Sequence, residues 1–292
     1  MNIFKKLFGG KSEQPETAQE NHEEKDFDVL KYDGVRAMRT HQLDYAAKCF
    51  THALDIKDDL ETRDYLSQVY VGLNNLPDAY EQLRQIGEAC PDNIQVFIRM
   101  ARVAYMMEDY KAMGEAAEKA MLIDRDNAEV NYLYAQSCDG MGDVVNAIAL
   151  LTKAISLDGN YVEAYLLRGA VLLKMGDKKG ASDDADAAVK LAPDNEDALL
   201  LKARVENALG EKDSALSWYG KVIDANPFRL EAYKERGAIH YERGETQAAS
   251  DDMKKVLELE PEKTADVTGD FSAEGIEDKI NRKYKEMNPY GF

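Results

Sequence analysis

The stretch that decides the fold is VEAYLLRGAVLLKMGDKKGASDDADAAVKLAPDN, residues 162–195. Apolar and small residues recur every three or four positions in each half, which is the period of an α-helix with one buried face. Gly176 and Asp177 separate the halves as a tight turn, and Pro193 ends the second half. Because two short helices cannot bury both apolar faces alone, the stretch predicts copies of itself on either side.

The rest of the chain supplies these copies. A small or slender residue opens the second helix of each unit, with one step of 33 residues followed by steps of 34: Ala46, Ala79, Met113, Ala147, Ala181, Ala215 and Ala249. We therefore predict seven repeats over residues 27–263, with boundaries at 27–59, 60–93, 94–127, 128–161, 162–195, 196–229 and 230–263.

Each recurring residue type has a physical reason. A small residue in the first helix, such as Gly169, lets the second helix approach closely, and Ala181 lies against it. A glycine between the helices adopts a positive φ at no steric cost. The last four repeats have glycine at this turn, whereas the first three have other residues: His41, Asn74 and Glu108.

Tyr165, Gly169, Ala181, Ala188 and Pro193 follow the pattern of the tetratricopeptide repeat family. The chain resembles this family throughout the predicted repeat region. The resemblance implies an all-α fold, a right-handed α-α superhelix (solenoid) of tandem helix pairs.

Both ends differ from the repeats. Residues 272–287 have a helical pattern, and because a repeat stack needs a terminal helix with a polar outer face, we predict a C-terminal capping helix there, followed by the tail 288–292. Residues 11–26 are polar and predict a disordered linker. The segment 1–10, MNIFKKLFGG, is short and amphipathic, and it is either an anchor or docking peptide or a frayed terminus.

Composition and charge restrict the partners. The formal charge is −18, from 55 acidic and 37 basic residues, which argues against binding to nucleic acid. Three cysteines suit a reducing compartment, and no apolar run is long enough to predict a transmembrane helix. We expect a cytoplasmic protein, with peripheral contact to the inner face of a membrane through residues 1–8 as an open alternative.

No chemistry-bearing motif stands out. Cys49 and His52 are three residues apart on one helix, but a structural zinc site needs four ligands and no second pair with such spacing follows. Phosphate-binding loops, hydrolase elbows and dinucleotide fingerprints do not occur. We therefore predict no enzyme, no metal and no cofactor.

Two repeats place arginine where the family has leucine. Arg168 and Arg236 each occur 16 residues before an aspartate, Asp184 and Asp252. Because a guanidinium in a helix interface needs a carboxylate, we interpret these as structural ion pairs. A polar functional site is the alternative.

In the resembled family the first helices line a concave face, and positions 2, 5, 9 and 12 of the repeats contact ligands. Carried over by position, the partner-binding candidates are Arg102, Tyr105, Tyr132, Gln136, Leu166, Leu200, Arg204, Asn207, Lys234 and Tyr241. The alternative for Tyr105 and Tyr132 is simple packing between first helices. The family's clamp for Hsp70 or Hsp90 tails is not expected, because its asparagines are replaced by Val35 and Tyr65.

The leading hypothesis is a non-catalytic scaffold that binds a peptide segment or a protein surface for assembly or recruitment. An assembly chaperone or secretion-pathway accessory factor that holds apolar client segments is the alternative. Leucines exposed on the concave face would favour the chaperone, and a polar face would favour the scaffold. A third hypothesis is that the protein is an accessory subunit of an enzyme.

Overall fold

The computed structural model describes residues 15–260, with side chains from residue 22 onward, and every regular element in that part is an α-helix. The chain divides into two compact units, Met1–Gly142 and Asp143–Phe292, which are described separately below. None of the described helices combines the length and the apolar character needed to cross a membrane.

The first unit contains seven described helices. They are α1 Pro15–Arg39, α2 Leu43–Ile56, α3 Leu60–Gly72, α4 Leu76–Ala89, α5 Ile94–Met106, α6 Tyr110–Ile123 and α7 Ala128–Gly140. Successive helices pack side by side, and first helices also contact first helices, as α5 contacts α7. The largest apolar cluster joins α4, α5 and α6 and contains Phe97, Met100 and Met113, all nearly inaccessible to water.

The second unit also contains seven described helices. They are α8 Val144–Leu157, α9 Val162–Lys174, α10 Lys178–Leu191, α11 Glu196–Leu209, α12 Lys212–Ala225, α13 Leu230–Glu242 and α14 Thr246–Leu259. A cluster around Leu200, Tyr219 and Val222 holds α11, α12 and α13 together. At Gly169 in α9, an added Cβ would lie 2.8 Å from Leu201 Cδ2 and 3.2 Å from Asp184 Cβ, so a larger residue would force these neighbours to shift.

The helices repeat at a constant interval. First helices begin 34 residues apart, at Leu60, Ile94, Ala128, Val162, Glu196 and Leu230. Short polar side chains cap several of them, for example Asp59 on α3 and Asn195 on α11, by accepting hydrogen bonds from backbone N–H groups. We keep the division into seven repeats as our interpretation of these pairs.

The turns between paired helices share one backbone conformation. Gly142, Gly176, Gly210 and Gly244 have φ between +74° and +90°. His41, Asn74 and Glu108 occupy the same place in the earlier pairs with φ of +57° to +58°, which is unusual for residues with a side chain. In these three earlier pairs the packed helices on either side therefore impose the turn geometry, although glycine is missing.

The sequence prediction of a disordered linker over 11–26 is wrong for residues 15–26, because α1 begins at Pro15 and continues through them. Proline is well suited to the first position of a helix. Glutamate, glutamine and alanine, which dominate this stretch, have high helix propensity, and the packed part of α1 provides the costly nucleus on which they extend. The predicted segment 1–10, capping helix 272–287 and tail 288–292 lie outside the described residues.

Candidate protein-binding surface

The first helices of the first unit are linked by polar contacts. Lys31 on α1 donates to Asp59 Oδ2 at 2.8 Å and to Glu61 Oε2 at 2.7 Å, both at the start of α3. Arg99 on α5 pairs with Asp64 on α3. Each basic group therefore joins one first helix to a neighbouring one, so the face formed by α1, α3, α5 and α7, here called the first-helix face, carries ion pairs.

These contacts shift the pKa of the acids involved. Partial burial raises the pKa of Asp59, but hydrogen bonds from Lys31 and Thr62 outweigh it and lower the pKa to about 2. The hydrogen bond from Lys31 also lowers the pKa of Glu61, with a second contribution from the Tyr65 hydroxyl. Asp59 and Glu61 are thus held ionised at neutral pH beside their cation.

The candidates on α5, Arg102 and Tyr105, are the most accessible of the predicted partner-binding residues. The guanidinium of Arg102 pairs with the carboxylate of Glu129 on α7, and 63% of the Arg102 side chain is exposed. Tyr105, one turn further along the same face, is 47% exposed, and its ring lies edge-on to Tyr110 at 6.4 Å between centroids. Met106 beside it is 49% exposed. The result is an accessible patch with aromatic, apolar and cationic groups.

The candidates on α7 adjoin this patch. Tyr132 and Gln136 lie four residues apart on α7 and are both half-buried. Tyr132 follows Glu129, the partner of Arg102, by three residues, so it lies on the side of α7 that adjoins α5. The structure therefore brings the four candidates of the first unit onto two neighbouring helices.

In the second unit, Arg204 is engaged within the fold. Its Nε lies 2.9 Å from Glu235 Oε2 and its Nη2 lies 2.6 Å from Glu235 Oε1, which makes a bidentate pair between α11 and α13. The Tyr219 hydroxyl donates to the same carboxylate at 2.8 Å. Burial, followed by the charge of Glu235, raises the pKa of Tyr219 far above its ordinary value. This network stabilises the helix pairs and leaves Arg204 little capacity to bind a partner.

The assignment of Leu200 to a binding surface is corrected by the structure. Leu200 is only 2% exposed and packs with Ala203, Tyr219 and Val222 in the core of the second unit. Three consecutive leucines begin at Leu199 on α11, and the packing of α11 between neighbouring helices buries all of them. Leu166 is half-buried and packs against the cluster between α10 and α11.

The remaining candidates of the second unit are also in contact with their own chain. Asn207 Oδ1 accepts a hydrogen bond from Lys212 at 2.8 Å, and Lys234 donates to Glu260 at 3.2 Å. Tyr241 is half-buried and packs against the apolar cluster of α13 and α14. Compared with α5 in the first unit, these side chains offer less free surface.

The two arginine–aspartate pairs have the same geometry. Arg168 Nε and Nη2 lie 2.9 and 2.6 Å from the two oxygens of Asp184, and Arg236 lies 3.0 and 2.6 Å from Asp252. The aspartates are 2% and 4% exposed. Hydrogen bonding to its aspartate is the main cause that raises the pKa of each arginine. Both pairs are largely withdrawn from solvent, since the two arginine side chains are 19% and 25% exposed.

Some contacts of these side chains were not predicted from the sequence. Each of these arginines also lies over a tyrosine three residues earlier: Arg168 over Tyr165 at 5.9 Å and Arg236 over Tyr233 at 5.8 Å. Lys202 occupies the same repeat position and pairs with Asp186 on α10 and with Glu206 one turn further along α11. The ion pairs between first helices could have been sought by their spacing, because their members are separated by 27 to 35 residues, close to the length of one repeat.

The described residues contain no group of three or more His, Cys, Asp or Glu side chains that could hold a metal ion. Cys49 and Cys138 are buried. On α5, an aromatic ring and a guanidinium are exposed, and such groups are common anchors of protein contacts.

Comparisons with solved structures agree on the fold. A tetratricopeptide repeat protein from Parabacteroides merdae has 12% identity and a TM-score of 0.69, and the match covers 89% of this chain and 99% of that one. PilW, described as a type IV pilus biogenesis factor, has 18% identity and a TM-score of 0.63, with 76% and 98% covered. PilF from Pseudomonas aeruginosa has 18% identity and a TM-score of 0.56, with 72% and 96% covered.

The family comparison is more specific. No curated protein matches the sequence. The family model for the ETO1 C-terminal domain matches residues 24–210, which is more than half of the chain. Together with the tandem helix pairs, this match shows that the chain belongs to the ETO1 C-terminal domain family, within the tetratricopeptide repeat proteins.

Proposed function

We propose that the protein is a non-catalytic scaffold that binds a segment or surface of another protein, with α5 and α7 of the first unit as its main contact. The observation that carries the proposal is the accessible patch of Arg102, Tyr105 and Met106. Tyrosine and arginine are enriched among the residues that dominate binding energy at protein interfaces. The solved relatives named PilW and PilF support this type of role only through their shared fold.

The same observations favour the scaffold over a chaperone for apolar client segments. A chaperone surface would expose leucines, but Leu200 is buried, and Leu166 and Leu173 pack against a core cluster. The first-helix face instead presents ion pairs and the hydroxyl group of Tyr65. We place the scaffold in the cytoplasm, with residues 1–8 as its contact with a membrane surface.

The patch is tested by quantitative co-purification. Full-length wild type and the double variant Arg102→Glu/Tyr105→Ser are used as bait, and bound proteins are quantified by mass spectrometry. We expect the double variant to lose the specific partner by about tenfold or more, as expected for interface anchors.

Two controls separate binding from stability. Glu129→Gln removes the charge partner of Arg102 and keeps the arginine, so it should retain binding. Leu122→Ser changes an 84% exposed residue on α6, outside the patch, and should also retain binding. If the double variant captures the same proteins as wild type, or if Leu122→Ser loses them equally, the patch is not the binding site.

A further inference from the structure

One helix face in the first unit is unusually accessible. On α1, Val29, Tyr32 and Arg36 lie at i, i+3 and i+7, so their side chains share one face of the helix. Val29 is 60% exposed and Tyr32 is 69% exposed. Tyr45, which is 49% exposed on α2, lies within electrostatic range of Asp33 and Arg36 and extends the surface. We call Val29, Tyr32, Arg36 and Tyr45 the α1 end face.

The equivalent positions are buried in every later pair. Counted in repeat steps, the residues that correspond to Val29 are at most 4% exposed: Thr62, Val96, Val130, Ala164, Ala198 and Ala232. Those that correspond to Arg36 are at most 5% exposed: Val69, Val103, Ser137, Val171, Val205 and Ile239. They are covered because the second helix of the preceding pair packs on them, as α2 packs on α3.

The α1 end face therefore corresponds to a surface that a preceding helix covers in the later pairs. Among the described helices none precedes α1, so this surface of α1 is exposed. The α1 end face also differs from the equivalent surfaces of the later first helices. A charged residue, Arg36, lies at the position where those helices have valine, serine or isoleucine. A wholly apolar partner would remove Arg36 and its intrahelical partner Asp33 from water without adding a polar contact, which is costly. The occupant must supply apolar contact at Val29 and Tyr32 and a carboxylate near Arg36.

We propose that the α1 end face is the contact between two copies of this chain, with the two α1 helices antiparallel across a two-fold axis. The charges on α1 carry this choice. Asp26 and Arg36 lie on the same side of α1 as Val29 and are equally far from residue 31. An antiparallel pairing centred there places Asp26 of one copy opposite Arg36 of the other, twice in the interface. It also places the apolar residues Val29 and Tyr32 near the axis.

A parallel pairing of the two α1 helices would not place opposite charges next to each other. It would bring each Arg36 next to the same residue of the other copy, and like charges at such a distance repel. In the single chain Arg36 pairs only with Asp33 on its own helix, at 3.0 Å, with 66% of the arginine side chain exposed. Such an exposed pair is weak, so exchange for a partner across the interface costs little.

The size of the α1 end face determines how strongly we expect two copies to associate. The interface would contain two well-exposed apolar side chains from each copy and two ion pairs, which places it at the small end of specific contacts. We expect a reversible dimer with a dissociation constant on the order of tens of micromolar. Because exposed ion pairs are screened, the dimer should weaken as salt increases.

The test is sedimentation equilibrium of the full-length chain from about 5 to 200 μM, a range chosen around the expected dissociation constant. Tyr32→Glu should raise the dissociation constant about tenfold or more, because it places a charge at the axis. The matched control Leu122→Glu changes another exposed apolar residue, on α6, and should leave association unchanged. Circular dichroism checks that each variant remains helical.

A charge exchange makes the test specific for the two-fold arrangement. Arg36→Asp alone and Asp26→Arg alone should each weaken the dimer, because each leaves two like-charged contacts. The double variant Asp26→Arg/Arg36→Asp restores opposite charges across the axis and should return the dissociation constant to within about threefold of wild type. A wild type that stays monomeric throughout overturns the proposal. A Tyr32→Glu variant that dimerises like wild type, or a double variant without recovery, also overturns it.

Discussion

Removal of Asp184 should destabilise the second unit strongly. The carboxylate of Asp184 is 2% exposed and binds Arg168 through two hydrogen bonds, while the Arg168 side chain is only 19% exposed. In Asp184→Ala, the guanidinium keeps one hydrogen bond, to Thr152 Oγ1 at 2.9 Å, and its contact with the ring of Tyr165, but it has no carboxylate. Loss of one member of a buried pair costs about 3–5 kcal/mol, and the partial access of Arg168 to water places the expected value near about 3 kcal/mol.

The assay is urea unfolding followed by fluorescence of Trp218, which is the single tryptophan of the sequence and lies in α12 of the same unit. With a slope of about 2–3 kcal/mol per molar urea, the midpoint should fall by about 1 M. Glu258→Ala is the matched control, since Lys255 and Glu258 are 2.6 Å apart but both more than half exposed. This control should leave the midpoint unchanged because exposed pairs contribute little.

A double variant distinguishes an ion pair from a packing defect. Arg168→Leu/Asp184→Ala removes both charges and places leucine, the residue usual in the family, in the first helix. It should recover most of the stability lost in Asp184→Ala, as expected when two charges compensate each other. The reasoning is refuted if Asp184→Ala is no more harmful than Glu258→Ala, or if the losses of the single variants simply add.

Three further substitutions test other features of the fold. Glu108→Gly relieves a φ of +58° and should raise the free energy of unfolding by about 1 kcal/mol, measured by urea titration; no gain would contradict backbone strain at this turn. Asp59→Asn should be less stable than wild type by about 2 kcal/mol at pH 6. Because the folded pKa of about 2 lies below the unfolded value of 3.8, this difference should disappear as the pH falls from about 4 to 2, and a constant difference would refute it. Gly34→Ala places a Cβ 2.6 Å from Phe50 Cε1 and should lower the melting temperature by an amount equivalent to about 1–3 kcal/mol, whereas Gly159→Ala, with nothing within 4 Å, should not.

The fold was predictable from the sequence because its determinants are local and repeated. Apolar periodicity gives helices, and the recurrence of Ala181, Gly169 and their counterparts every 34 residues gives tandem pairs. The start of α1 was missed because a polar stretch has no apolar face to reveal it. Its helix is stabilised by propensity and by growth from the packed residues after Phe27.

The candidate site was less predictable because burial depends on the neighbours of a side chain, and position in a repeat does not specify them. Leu200 and Tyr105 were assigned to the same face by position, yet Leu200 is 2% exposed and Tyr105 is 47% exposed. Arg102 and Arg204 likewise occupy the same repeat position. Arg204 is held by Glu235 through two hydrogen bonds, whereas Arg102 stays largely exposed beside Glu129. Such differences arise from the partner helix and cannot be read from one repeat.

The ion pairs between first helices have a mechanical consequence for the first unit. Apolar contacts between helices resist separation but permit sliding, since they have little directionality. The contacts of Lys31 with Glu61, Arg99 with Asp64 and Arg102 with Glu129 are directional and oppose shear between successive helices. Because these groups are partly exposed, added salt screens them. The stiffness of the first unit under a stretching force should therefore decrease with ionic strength while its helix content stays constant.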